Sequence, residues 1–198
     1  FIANDFKGDL GVDLTVSHLL MPINRSGGEW RNTIQLGTHN VVATEYYQPL
    51  DPSLAWVFDS RIRYRRNEFR FFSPEGDALA EYRFNALDGE TGFGRIFGRW
   101  GGIFAGAYRS SGKGSPYIGP GSFPVVNSDD GGVFAYFHAD TLDSTTWPRH
   151  GTQARLQYRR SLTSMGAQES GEFASLKLSK AMTVGKDVVF LAIEAEDI

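Results

Sequence analysis

Apolar and polar residues alternate with a period of two along most of the chain, and helical periodicity is poor throughout. The stretch Leu54–Arg66 is the most informative. Trp56, Phe58, Ile62 and Tyr64 fall on one face, interrupted by Ser60, while Asp59, Arg61, Arg63 and Arg65 fall on the other. Successive side chains point to opposite faces only in an extended strand, so this spacing predicts a β-strand with one apolar and one cationic face. The same reading applies to Leu10–Ser17, where Leu10, Val12, Leu14 and Val16 oppose Gly11, Asp13, Thr15 and Ser17. Trp30, Ile34 and Leu36 oppose Arg31, Thr33 and Gln35. A strand over Asn40–Gln48 alternates less cleanly.

Phe69–Phe72 is expected to continue the hairpin begun at Leu54, and Ser73-Pro-Glu-Gly76 has the composition of a turn. Ala78, Ala80, Tyr82 and Phe84 oppose Glu81, Arg83 and Asn85. Gly89–Phe97 is expected as a further strand, Arg99–Gly102 as a short turn and Ile103–Arg109 as the next strand. Both faces of that last strand, Phe104/Gly106/Tyr108 and Ile103/Ala105/Ala107, are apolar, so its orientation stays open. Ser110–Gly132 holds six glycines and three prolines and is expected to be a long loop.

Gly131–Ala139 reads as a strand. In Thr152–Arg160, Ala154, Leu156 and Tyr158 oppose Gln153, Arg155, Gln157 and Arg159. Ala174, Leu176 and Leu178 oppose Ser175, Lys177 and Ser179, and the run Val188–Ile193 is apolar on both faces until Glu194. This gives ten or eleven strands at the spacing of an all-β, antiparallel up-and-down meander. No linker, charge block or low-complexity tract divides residues 1–198, which we read as one domain.

Composition narrows the chemistry. The chain has no cysteine, so thiol catalysis, disulfides and thiolate metal sites are excluded. A formal net charge of -3 gives no basic excess for nucleic acid, and no nucleic-acid partner is expected. No run of about 18 apolar residues occurs, which argues against a membrane-crossing helix but says nothing of strands, for which about 9–11 alternating residues suffice. Residues 1–7 lack the basic start and apolar core of a signal peptide, so an exported form is expected to be a mature piece. Aromatics make up 14% and there are 23 glycines, a balance that suits tight turns and a membrane barrel.

No serine has glycines at both -2 and +2, so the nucleophile elbow of a lipase-type hydrolase is missing, and no catalytic residue is assigned. His18, His39, His138 and His150 lack metal-ligand spacing. Asp140 and Asp143 offer two readings: caps on turn amides, which we favour, or Ca²⁺ ligands together with Asp129 and Asp130. Gly112-Lys113-Gly114-Ser115 lacks the spacing and following helix of a phosphate loop. No cofactor and no metal are expected. Arg61, Arg63, Arg65, Arg155 and Arg159 are candidates for cations lining a wet interior, where they balance acids or meet an inserted segment. Trp30, Trp56, Trp100 and Trp147 are candidates for aromatics at a membrane–water interface.

One stretch carries a resemblance. Asp140-Thr-Leu-Asp143-Ser-Thr-Thr-Trp147-Pro148-Arg-His-Gly151, followed by an alternating strand, resembles a segment of the bacterial surface-antigen superfamily of outer-membrane barrels. Gly28–Gly37, Ala43–Asp51 and Gly94–Gly101 are similar to the barrel of one branch, the patatin-like phospholipases fused to such a barrel and related to type V secretion. The resemblance implies a transmembrane-type β-barrel, part or all of it in this chain, in the outer membrane of a Gram-negative bacterium. It implies a translocator or anchor in contact with outer-membrane lipid, with a passenger or lipolytic domain of the same protein upstream. It marks Asp140, Asp143, Trp147, Pro148 and Gly151 as a turn motif. Family barrels have sixteen strands and an Arg-Gly-aromatic loop absent here, so the chain is expected to lack its closing strands. Its edges are then expected to form a smaller barrel or to pair with a second copy. The alternative reading is a soluble β-barrel or sandwich with a cavity for a small apolar ligand.

Overall fold

The computed structural model describes residues 2–4, 10–72, 78–118 and 124–197. They form one sheet of eleven strands in sequence order, each antiparallel to the next. The strands are β1 (Ile2–Asn4), β2 (Leu10–Leu20), β3 (Glu29–Gly37), β4 (Asn40–Pro49), β5 (Trp56–Phe72) and β6 (Ala78–Phe97). β7 (Gly101–Ile118), β8 (Val126–Asp140), β9 (Gly151–Ser161), β10 (Gly171–Val184) and β11 (Asp187–Asp197) follow. A 3₁₀ turn at Thr163–Met165 lies between β9 and β10. The all-β antiparallel meander expected from the alternation is therefore present. No ladder joins β11 back to β1 or β2 among the described residues, so the sheet is open. The described residues form a single sheet.

Register decides which residues share a face, because directly paired residues project to the same side. Val16, Ile34, Val42, Tyr64 and Leu87 are successive partners across β2–β6. Ile103, Phe137, Leu156 and Leu176 form a second apolar row across β7–β10. On the opposite side Arg31, Glu45, Arg61, Glu90 and Tyr108 are successive partners across β3–β7. The two faces predicted for Leu54–Arg66 and Thr152–Arg160 thus extend through the sheet. The register also orients β7: Ile103, Ala105 and Ala107 join the apolar face, while Phe104, Gly106 and Tyr108 join the polar one.

A single layer buries little of itself. Val57 is wholly buried, at 0% exposure, whereas Tyr64 and Leu87 on the apolar face are 37% and 53% exposed. On β5 the apolar positions run from Trp56 to Tyr64, after which the same face turns charged. Arg66 donates to Asn85 at 2.9 Å, Arg83 pairs with Glu68 at 3.0 Å and Arg70 with Glu81 at 3.8 Å. β5, β6 and β7, of 17, 20 and 18 residues, therefore run well past the apolar band at one end.

That extension corrects two expectations. Gly89–Phe97 is not a separate strand but the second half of β6. Most of the Ser110–Gly132 loop is strand: β7 continues to Ile118 and β8 starts at Val126, with 119–123 outside the described residues. Glycine is a poor strand former alone, but here Phe84 supplies a cover. A Cβ on Gly112 would meet its ring at 2.6 Å and one on Gly114 at 3.3 Å. Gly112–Ser115 is consequently strand, not a phosphate loop. The turn expected at Ser73–Gly76 lies outside the described residues. The turn expected at Arg99–Gly102 is residues 98–100, with Gly101 and Gly102 already in β7.

Candidate functional site

The polar face of β5–β9 is concave. A cavity of about 200 Å³ is lined from β5 by Asp59 and Arg61 and from β9 by Arg155, Gln157 and Arg159, so one hollow spans five strands. Its floor is made by Glu90 and Gly92 on β6, Phe104 on β7, and Phe134 and Tyr136 on β8. Glycines allow this curvature. A Cβ on Gly94 would overlap the ring of Phe104, and one on Gly106 would overlap the Thr91 carbonyl and meet the Phe134 ring at 2.9 Å. Aromatic side chains fill the space that the glycines leave. Phe104 stacks on Tyr136 with centroids 4.8 Å apart, and Phe134 and His138 extend the stack at 6.2 and 6.3 Å from Tyr136.

Arg61, Arg63, Arg65 and Arg159 each meet an acid on the same face, and for Arg61 and Arg63 that acid is the register partner. Arg61 forms an ion pair with Glu45, its β4 partner, at 2.7 Å, and Glu45 also stands 3.7 Å from Arg31 on its other side. Arg63 meets its β6 partner Asp88 at 3.2 Å, Arg65 reaches the same carboxylate at 3.1 Å, and Ser110 donates to it at 2.7 Å. Arg159 pairs with Glu90, and its guanidinium lies 4.6 Å from the centre of the Tyr108 ring. The Tyr108 hydroxyl sits 3.1 Å from Asp130 and 2.9 Å from Ser161, tying β7 to β8 and β9.

The five predicted arginines therefore share one face but not one centre. Arg61, Arg155 and Arg159 line the hollow, while Arg63 and Arg65 are gathered at Asp88 nearer the charged extension. Sequence reading did not single out Glu45 or Asp88, and gave Asp130 only as a possible Ca²⁺ ligand and Tyr108 only as a face residue of its strand. Alternation with period two put Glu45 and Asp88 on a polar face, but strand pairing decides that Glu45 meets Arg61 and Asp88 meets Arg63.

The β8–β9 connection, residues 141–150, is ordered by its own polar side chains. Asp140 accepts from the Leu142 amide at 3.0 Å and from Gln153 at 2.9 Å. Asp143 accepts from the amides of Arg149 at 2.8 Å and His150 at 3.1 Å. Those two bonds hold its carboxyl below the usual carboxylate range. Ser144 accepts from the amide of Trp147 at 3.2 Å. Gly151 has φ 111, where an L side chain is rarely found, and a Cβ there would overlap the Thr141 carbonyl. The favoured reading of Asp140 and Asp143 as turn caps is what the geometry gives. Asp129 and Asp130 lie near the other end of β8, so the four aspartates cannot share one Ca²⁺. No group of three or more His, Asp or Glu able to hold a metal occurs among the described residues.

The loop between β4 and β5 repeats the device. Asp51 accepts from the Trp56 amide at 2.6 Å and the Ser53 amide at 3.0 Å, and the Ser53 hydroxyl, its strongest partner, and these amides lower its pKa.

All four tryptophans lie at this same end of the sheet. Trp30 and Trp56 begin β3 and β5, Trp100 sits between β6 and β7, and Trp147 between β8 and β9. Trp30 donates to Thr44 at 2.6 Å, Arg95 lies 5.3 Å from the centre of the Trp56 ring, and Trp100 stacks on Phe97 at 5.3 Å. Trp147 is 82% exposed, beside an open groove of about 750 Å³ that Leu142 and Pro148 share with Val188 and Phe190 of β11.

The arrangement provides a charged face, an apolar face and one aromatic rim. No helix among the described residues is long and apolar enough to cross a membrane, which leaves strands unaddressed. No protein-family model and no curated protein matches the chain.

Proposed function

We propose that the chain forms the wall of an outer-membrane β-barrel that serves as a translocator or anchor, of the kind found in the patatin-like branch of the bacterial surface-antigen superfamily. One observation carries the reading: register sets the apolar rows Val16–Ile34–Val42–Tyr64–Leu87 and Ile103–Phe137–Leu156–Leu176 on one face and the row Arg31–Glu45–Arg61–Glu90 on the other, where aromatic side chains such as Phe104 and Tyr136 lie within the charged hollow. In lipid, backbone groups must pair within the sheet, and antiparallel ladders do this when the sheet is closed. The outward face then meets acyl chains and the hollow faces water. The Trp56–Tyr64 band is nine residues long, within the about 9–11 that a tilted spanning strand needs. The tryptophans at one end suit an interfacial rim. Asp140, Asp143, Trp147, Pro148 and Gly151 add the family turn on which the resemblance rests.

In this reading the chain does no covalent chemistry. Its charged hollow offers a hydrated path or a seat for an inserted segment, and a lipolytic or passenger domain is carried by other parts of the protein. The test is a nitroxide scan of Trp56–Arg66 in reconstituted vesicles. Oxygen accessibility should peak at Phe58, Ile62 and Tyr64, and accessibility to a water-soluble relaxer at Asp59, Arg61 and Arg63. Water access that is equal on both faces sinks the proposal.

A further inference from the structure

The apolar face ends, on β5 and β6, at a row that holds cations and no acid. Tyr64 and Leu87 are the last apolar partners there. The next row on the same face is Asn40, Arg66, Asn85, Lys113 and Asn127, successive partners across β4–β8. The row beyond it differs, because Glu68 is the partner of Arg83 and pairs with it at 3.0 Å. Asp129, the partner of Ser111 in the row before, forms no ion pair with Lys113. Among the described residues neither Arg66 nor Lys113 has a carboxylate partner.

Hydrogen bonds turn this row into a set of donors. Arg66 Nε donates to Asn85 at 2.9 Å, and the Tyr64 hydroxyl donates to the same atom at 3.0 Å. A guanidinium only donates, so Asn85 gives its carbonyl oxygen to Arg66 and keeps its amide nitrogen as a donor. Arg66, Asn85 and Lys113 stand on three adjacent strands, each about 4.8 Å from the next. A phosphate, with three strong acceptor oxygens, bridges donors at that spacing. The row also sits at a telling depth. It lies about 33 Å along β5 from Trp56 at the usual rise per residue, and a strand tilt of about 40° makes that about 25 Å across a membrane, the height of a barrel's apolar band. Trp56 belongs to the aromatic rim at the opposite end.

We propose that Arg66, Asn85 and Lys113 form a site for the phosphate of an anionic lipid, in the leaflet opposite the tryptophan rim. The inference rests on the membrane reading above. A phosphomonoester headgroup carries about two negative charges and so matches the two cations. Its acyl chains lie along Tyr64 and Leu87, which continue the same face toward the bilayer centre. A free anion gains nothing from those side chains, so the occupant is a lipid.

The experiment uses the whole chain in bilayer discs of phosphatidylcholine. They contain a minor share of phosphatidic acid, a phosphomonoester, or of phosphatidylglycerol, a diester with one charge. A nitroxide on Ser115→Cys stands one row beyond the site on the same face, and phosphorus NMR reads how strongly it broadens each lipid. Phosphatidic acid should be broadened about fivefold more than phosphatidylglycerol, and R66Q/K113Q should abolish the preference, each cation near a membrane surface contributing about a factor of five. The same label on Lys180→Cys, on that face at the tryptophan end, should show no preference. Equal broadening of the two lipids at 115 overturns the proposal, as does a preference that survives R66Q/K113Q. An equal preference at 180 also overturns it, since that is diffuse attraction, and so does displacement by inorganic phosphate at matched concentration, which marks a free-anion site. With lipid periodicity along Trp56–Arg66 intact, these results remove the site alone. Loss of that periodicity in the same discs removes the membrane reading and the site with it.

Discussion

Arg159 on β9 reaches Glu90 on β6 across two intervening strands. The polar face of those strands is low at the crossing: Gly106 and Gly132 carry no side chain there, and Tyr108 lies flat enough for the guanidinium to stand 4.6 Å from its ring centre. The ion pair spans the concavity instead of running along a ladder, so it reports on curvature.

Breaking this pair should therefore be felt weakly in stability but clearly in shape. Both side chains are about one-third exposed, at 35% and 33%. A double-mutant cycle with R159A and E90A should give a coupling of about 0.5–1 kcal/mol, shrinking in salt. Thermal melts in detergent at low and high ionic strength measure it. A coupling that salt leaves unchanged would contradict a hydrated hollow.

The glycines beneath the bridge should matter more than the bridge. A Cβ at Gly132 would overlap the Arg160 carbonyl, and one at Gly106 the Thr91 carbonyl, both backbone atoms that cannot swing away. Gly132→Ala and Gly106→Ala should each cost about 1–3 kcal/mol. Gly171→Ala meets nothing within 4 Å and should change stability little. Denaturant midpoints of the three variants make the comparison.

The β8–β9 turn should loosen in acid. Asp143 has a folded-state pKa lowered by the amides of Arg149 and His150. A carboxyl with a depressed folded pKa stabilises the fold above its unfolded value, about 3.9, and that contribution is lost as pH falls through the lower folded value. Amide exchange at Arg149 and His150 should speed up below about pH 4 beyond its intrinsic trend. D143A should show fast exchange there already at neutral pH. Asp51 shifts in the same direction, so the Trp56 amide should follow the same course.

The tryptophans should report one depth. Trp30 and Trp56 lie on the apolar face at one end, so a quencher attached near the lipid headgroup should dim both and one near the bilayer centre neither. Trp147, 82% exposed, should be quenched by aqueous acrylamide. Single Trp→Phe replacements separate the contributions. Strong mid-bilayer quenching of Trp30 would place the rim wrongly.

Alternation made the strands and their faces legible in Leu54–Arg66 and Thr152–Arg160, because a period of two admits only an extended chain with two unlike sides. It could not orient Ile103–Arg109, where both sides are apolar, until pairing with Tyr136 and Phe137 assigned Phe104 and Ile103 to opposite faces. It misjudged Ser110–Ser115, since small residues lack strand propensity and only the ring of Phe84 on the neighbouring strand gives them a packing partner. Asp143 and Gly151 were readable as turn chemistry, because capping acts within a few residues of chain.

The residues alone determined an all-β meander with one oily and one charged side, for these follow from local geometry and a two-residue repeat. Tertiary structure alone decided which acids Arg61, Arg63 and Arg159 meet and where the sheet bends. Those depend on register and on which glycines come to lie beneath which rings, relations between positions far apart in sequence that no periodicity encodes.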